Sequence, residues 1–350
     1  MELIEVPAGL AGVAVTTTSV GDVLGDEGLY HYRGRSAVAL ATSSTFEEAA
    51  ALVLDGSGRP AVGDGTLPEA VAATVATLGG ALDLRSALSL LGAAVEARPL
   101  SDLDPDERRA AAVRMISCFP ALVASVHHGS VRTPRADLGH IANYLWMLTG
   151  SEDPEVARAL EVYCTLTIDH GFNSGTFAAR VIASTAADVG ACVLGAYSAL
   201  TGPRHGAVQS RVLDMLDEMA SSGDAEAWMR QALASRRRIL GFGHAVYRVL
   251  DPRAPVLREL TARLAPERHQ VAVAAEQAAA TVLAGRRIAP NVDLYSPVLL
   301  EACGIPPGLF TATFAVARVV GWCAHILEQA AEPKVIRPAA YYVGPPPEIG

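Results

Sequence analysis

The feature that most constrains this chain is its helix punctuation. TFEEAAALVLDG (45–56) opens on threonine, places acids in its first turn and closes on glycine. PDERRAAAVRMISCFPALVASVHHG follows Asp104 with Pro105 at the first helical position, and DPEVARALEVYCTLTIDHG (153–171) repeats the Asp-Pro start and glycine stop. Val156, Leu160, Tyr163 and Thr167 fall at helical spacing. Pro120 is expected to kink or split its helix. LGHIANYLWMLTG, TFAARVIAST, ADVGACVLGAYSALTG, AVQSRVLDMLDEMA, AEAWMRQALA, VAVAAEQAAATVLAG and LFTATFAVARVVGWCAHILEQA also read as helices. The small residues of ADVGACVLGAYSALTG predict close packing, at a subunit contact for example. Only residues 1–45 suggest short strands or turns, and the proline-rich tail PAAYYVGPPPEIG reads as an extended arm. The fold class is therefore all-α.

Composition narrows the function. The 350 residues are 51% hydrophobic and 19% charged, enough for a large core. A formal charge of −9 and the absence of a basic run longer than Arg236-Arg237-Arg238 argue against nucleic acid as a partner. Lys334 is the single lysine, so the cations are arginines, which suit carboxylates and phosphates, although codon usage explains the ratio equally well. Cys118, Cys164, Cys192, Cys303 and Cys323 are scattered without metal-ligand spacing, and they read as buried free thiols. MELIEVPAGLAG lacks a signal-peptide pattern, and no uninterrupted apolar run reaches the ~20 residues of a membrane span. A cytoplasmic protein with no metal and no membrane association is expected. GFG at 241–243 follows no strand of a βαβ unit and is not a dinucleotide loop.

Four segments carry polar residues that packing explains poorly. They are DHGFN with Asp169, His170 and Asn173, GPRHGAVQ with His205, GFGHAVYRVLDPRA with His244, Arg248 and Arg253, and NVDLYS with Asn291 and Asp293. All lie at turns or helix starts, where free backbone N–H groups favour anions. Singly, each histidine reads as a cap or a satisfied core group, the arginines as a solvated face and Asp293 as an N-cap. Their joint occurrence shifts the reading to a site.

Taken together and in order, these segments with SSTFEEAAALVLDG, PRADLGHIANYLWMLTG, GIPPGLFTATFAVARVVGWCAHILEQ and IRPAAYYVG resemble the citrate synthase family from about residue 9 to residue 344. The resemblance implies two helical domains, a large discontinuous one (1–203 and 298–350, the latter with the C-terminal arm) and a small one (204–297), with the site between them. It implies condensation of acetyl-CoA with oxaloacetate and thioester hydrolysis to citrate and CoA. The acyl-CoA is then a co-substrate, and no permanently bound cofactor or metal is implied. By matching position, Asp293 is the base, His205 meets the enol oxygen and His244 polarises the ketone. His170, Arg253, Arg318 and Arg337 hold the carboxylates, and Arg248 contacts CoA phosphate, with Arg237 or Arg238 as weaker candidates. Arg337 crosses to a partner subunit in a homodimer. Arg318 fits independently, because a charge in the apolar helix TATFAVARVVGWCAHIL needs an anion.

The chain departs from the family pattern at Ala207 and Gln209 (GPRHGAVQ for GPLHGGAN), at Ala245 where arginine often follows GFGH, at Pro297 (NVDLYSP for NVDxYSG) and at Thr167. These keep open 2-methylcitrate synthesis from propionyl-CoA, or a weakly active or non-catalytic paralogue that senses oxaloacetate or CoA.

Overall fold

A computed structural model describes residues 4–203, 208–286 and 288–347. Near the N-terminus β1 (Gly21–Leu24), β2 (Leu29–Tyr32) and β3 (Arg35–Ser36) form an antiparallel sheet in the order β1-β2-β3, with Asp22 opposite His31. The rest is helical: α1 (Ala37–Ser43), α2 (Phe46–Asp55), α3 (Glu69–Leu78), α4 (Leu84–Val95), α5 (Pro105–His128), α6 (His140–Thr149), α7 (Pro154–Leu166), α8 (Ser174–Ser184), α9 (Val189–Leu200), α10 (Gln209–Ser222), α11 (Ala225–Ala234), α12 (Arg253–Leu264), α13 (Pro266–Val282), α14 (Val292–Ala302) and α15 (Phe310–Ala330).

The caps are those expected from the sequence. Thr45 and Glu48 form a capping box on α2, whose end is turned by Gly56 at φ 71°. Asp104 and Glu107 form another on α5, with Pro105 in the first turn. Contrary to expectation, α5 runs as one element through Pro120. The proline removes one backbone donor, and its surroundings compensate: Cys118, Phe119, Ala121 and Leu122 on either side are almost completely buried.

Helix α15 is the central post and packs against α2, α5, α7, α8 and α9. Helix α5 and the segment Pro307–Ala330 are long and apolar enough to cross a membrane by length and composition. Their most apolar windows are 72% and 83% buried, which is the pattern of core helices. The small residues of α9 serve contacts within the chain: a Cβ on Gly190 would lie 2.3 Å from Gly92 Cα on α4. Helices α10 to α14 pack mainly on one another, and α14 and α12 also touch α7. Loops at this junction carry the candidate site.

Candidate active site

Two loops are stitched together before the residues of interest. Phe242 bridges to Pro290, Gly243 N donates to Ala289 O at 2.8 Å and Asn291 N donates to Gly241 O at 3.0 Å. Asn291 Nδ2 adds a bond to Gly243 O, while Asn291 Oδ1 caps Asp293 N. Gly241 sits at φ +79°, and a Cβ there would press to 3.0 Å from Leu294 Cα, so only glycine brings this loop so close to α14. His244 and Asp293 therefore leave one hydrogen-bonded platform.

His244 Nδ1 accepts from the backbone N–H groups of Val246 (3.0 Å) and Tyr247 (3.1 Å). A nitrogen accepting twice carries no proton, so the ring is neutral and presents Nε2–H. Burial, reinforced by the nearby Arg253 charge, pushes its pKa down to about 4. His170 Nε2 meets Tyr247 Oη at 2.9 Å, and its ring packs edge-on to His244 with centroids 5.3 Å apart. Burial and then the Arg253 and Arg318 charges hold His170 well below the usual imidazole range.

Arg253, the first residue of α12, is 3% exposed. Asp251 grips it in a fork: Nε donates to Oδ1 at 2.9 Å and Nη2 to Oδ2 at 2.8 Å. Asp251 also accepts from Arg253 N and from Val292 N, the first residue of α14. Burial alone would raise the Asp251 pKa, but the Arg253 charge and these bonds outweigh it and lower it. The Arg253 guanidinium lies over the Tyr30 ring at 5.8 Å.

Arg318 is also 3% exposed. Its Nε donates to Thr167 O at 2.7 Å, and its guanidinium covers the Phe314 ring at 4.6 Å. Among the described residues no carboxylate lies within ion-pair distance of it. Burial disfavours its charge, and Asp169 chiefly counters this. Asp169 is itself buried; its Oδ2 accepts from Gly171 N, and its Oδ1 is 3.3 Å from His325 Nε2. The Arg253 charge acts on His170, His244, Asp293 and Arg318 alike, so these five groups converge. Burial raises the Asp293 pKa, with Arg253 opposing and Asp251 reinforcing.

The result is a buried cluster of two guanidiniums, one of them paired with Asp251, two imidazoles whose charge is disfavoured and a carboxyl of raised pKa. Such a cluster suits an anionic ligand and acid–base chemistry. Among the described residues no cluster of three or more His, Cys, Asp or Glu side chains could hold a metal.

The other expected residues lie elsewhere. His205 falls outside the described residues. Arg248 is exposed; its N–H donates to Gly25 O at 3.0 Å, and it lines a surface pocket of about 620 Å³ with Asp26, Arg286 and Ile288. Arg337 is exposed beside an apolar groove lined by Ile4, Val15, Phe177 and Gln329. Arg237 pairs with Glu218 and covers Trp228, whereas the charge of Arg238 bears on Asp293. Three neighbours escaped the sequence reading: Asp251, Tyr247 and Tyr30. Asp251, two residues before a helix that starts on arginine, carried a legible signal. The tyrosines carried none.

A family model described as citrate synthase, C-terminal domain, matches residues 9–339. The chain belongs to the citrate synthase family. Relatives include a putative citrate synthase 2 from Mycobacterium tuberculosis, 38% identical over 97% of this chain and 93% of the relative. A 2-methylcitrate synthase from the same species is 34% identical over 97% and 91%. Among solved structures, citrate synthase from Thermotoga maritima superposes with a TM-score of 0.84 at 35% identity, covering 97% and 96%. The citrate synthase of Thermoplasma acidophilum in ternary complex with carboxymethyl coenzyme A and oxaloacetate superposes at 0.87 with 26% identity, covering 99% and 98%.

Proposed function

We propose that this enzyme condenses acetyl-CoA with oxaloacetate and hydrolyses the resulting thioester to citrate and CoA. The observation that carries the reading is the stitched pair of loops. It joins a carboxyl of raised pKa, Asp293, to a neutral His244 that presents Nε2–H, beside two buried guanidiniums.

In this reading Arg253, Arg318 and His170 hold the two carboxylates of oxaloacetate. His244 Nε2–H donates to the ketone oxygen and stabilises the negative charge that develops there. Asp293 removes a proton from the acyl methyl group, and His205 hydrogen-bonds the enol oxygen that forms. The electron pair released on carbon makes the new bond to the ketone carbon. Water then attacks the thioester carbonyl, and the CoA thiol leaves. Burial supports Asp293 in this role, because a carboxylate held out of water is a stronger base. Arg248 contacts CoA phosphate.

We assign residues 1–203 and 298–350 to a large domain and 204–297 to a small one that closes over oxaloacetate. The protein acts in the cytoplasm as a homodimer, with Arg337 completing the partner's site. The exposed position of Arg337 beside an apolar groove formed by both terminal segments supports that role. The family includes a 2-methylcitrate synthase at 34% identity, which favours a second reading with propionyl-CoA. One extra methylene separates the substrates, a difference of about 1–3 kcal/mol. Thiol release from each acyl-CoA in the presence of oxaloacetate tests both readings. Faster turnover of acetyl-CoA supports the first and faster turnover of propionyl-CoA the second. No release from either, relative to an Asp293→Ala control, rejects both.

A further inference from the structure

Gln209 belongs to none of these roles, yet it is bonded to the helix that carries the proposed base. It opens α10 and is 3% exposed. Its Nε2 donates to Tyr163 Oη on α7 and to Ser296 Oγ on α14, each at 3.1 Å. Ser296 lies one turn beyond Asp293 on α14, and the Gln209 amide favours the ionised form of the Asp293 carboxyl. At the other end of the amide, Gln209 Oε1 is buried without a hydrogen-bond partner among the described residues. A buried amide left half-satisfied is costly, about 1–3 kcal/mol, so packing alone does not account for a glutamine here. The family pattern carries asparagine at this position, and the extra methylene lets Gln209 reach α7 and α14 together.

We propose that Gln209 is a positioning residue that clips α14 to α7 and thereby sets Asp293, in the first turn of α14, in the orientation that proton abstraction requires. The proposal rests on the reading of Asp293 as the base. The charged and titratable groups facing Asp293 are Arg253 on α12, Asp251 just before it, Arg238 after α11 and Tyr163 on α7. Arg253 and Arg238 favour the carboxylate, whereas Asp251 and burial disfavour it. Gln209 adds to the first side, so its loss raises the pKa of Asp293 further.

The test compares wild type, Gln209→Met, Gln209→Glu and Asp293→Asn by kcat and KM across pH, with thermal melting to confirm folding. Gln209→Met keeps the length and removes the amide. It is expected to lower kcat on the order of tenfold to a hundredfold, to leave the KM for oxaloacetate unchanged and to move the acid limb of kcat/KM to higher pH. Gln209→Glu places a second carboxyl beside Asp293 and is expected to move that limb further in the same direction, which keeps the test open if Gln209→Met does not fold. An acid limb that stays in place in whichever variant folds, or a loss confined to KM, overturns the proposal. If Asp293→Asn turns over like wild type, the base reading itself fails. If Asp293→Asn is inactive while the Gln209 limb stays put, only the role of Gln209 fails.

Discussion

Asp251 offers the sharpest perturbation, because one buried carboxylate serves two parts of the site. It is 1% exposed and accepts four hydrogen bonds: from Arg253 N, Nε and Nη2, and from Val292 N. Asp251→Ala leaves the Arg253 guanidinium buried and unpaired, a loss of about 3–5 kcal/mol. Asp251→Asn keeps Oδ1 but turns an amide toward Arg253 Nη2 or Val292 N, where donor then faces donor. Removing two charge-assisted bonds at about 1.5–3 kcal/mol each places this variant in the same range. For a chain of this size the melting temperature is expected to fall on the order of 10 °C.

The pH dependence gives the loss a signature. The pKa of Asp251 in the folded protein lies below its unfolded value. Its stabilising contribution is therefore present above the unfolded pKa of about 3.9 and is lost as pH falls through the folded value. Melting curves between pH 3 and pH 8 are expected to show the Asp251→Asn deficit in full at neutral pH and to narrow in acid. The KM for oxaloacetate is expected to rise and kcat to fall together, since both Arg253 and the start of α14 lose their anchor. A variant that melts with wild type at pH 7, or that loses only kcat, would refute the reasoning.

Three further outcomes follow from the geometry. Nitrogen-resolved NMR of His244 is expected to show a neutral ring with the proton on Nε2 from pH 8 down to about pH 5, since its pKa lies at about 4; an imidazolium at pH 6 would contradict it. Arg318→Leu removes a buried cation that has no close carboxylate partner among the described residues, so melting is expected to hold or rise while the KM for oxaloacetate climbs by at least ~100-fold, the worth of two charge-assisted bonds. A mixture of Arg337→Ala and Asp293→Ala subunits, each inactive alone, is expected to recover activity in heterodimers that carry one intact site; no recovery on subunit exchange would assign Arg337 to its own subunit's site rather than the partner's.

How much of this was legible in the sequence depended on range. Local signals survived folding: Thr45 with Glu48 and Asp104 with Pro105 cap the helices they announce. Arg318 was visible as a charge in an apolar helix, and it is buried, with the charge of Asp169 chiefly offsetting the cost. Pro120 misled, because one missing donor is tolerable in a helix embedded on all sides. Tyr30 was invisible because it reaches Arg253 and His170 only through the fold, from the other end of the chain. Asp251 was passed over, because its grip on Val292 appears only once α14 is set beside it. Gln209 was visible only as a departure from the family pattern, whereas its amide makes specific bonds to two helices.

The central claim is that Asp293 performs proton abstraction without holding oxaloacetate. Its most direct test pairs thiol release from acetyl-CoA with calorimetric binding of oxaloacetate, in wild type and Asp293→Asn. The expected result is turnover by wild type, a loss of about 10²–10⁴-fold in the variant, as for removal of a general base, and unchanged oxaloacetate affinity. Equal turnover by both proteins, or a variant that fails because it no longer binds oxaloacetate, would contradict the account.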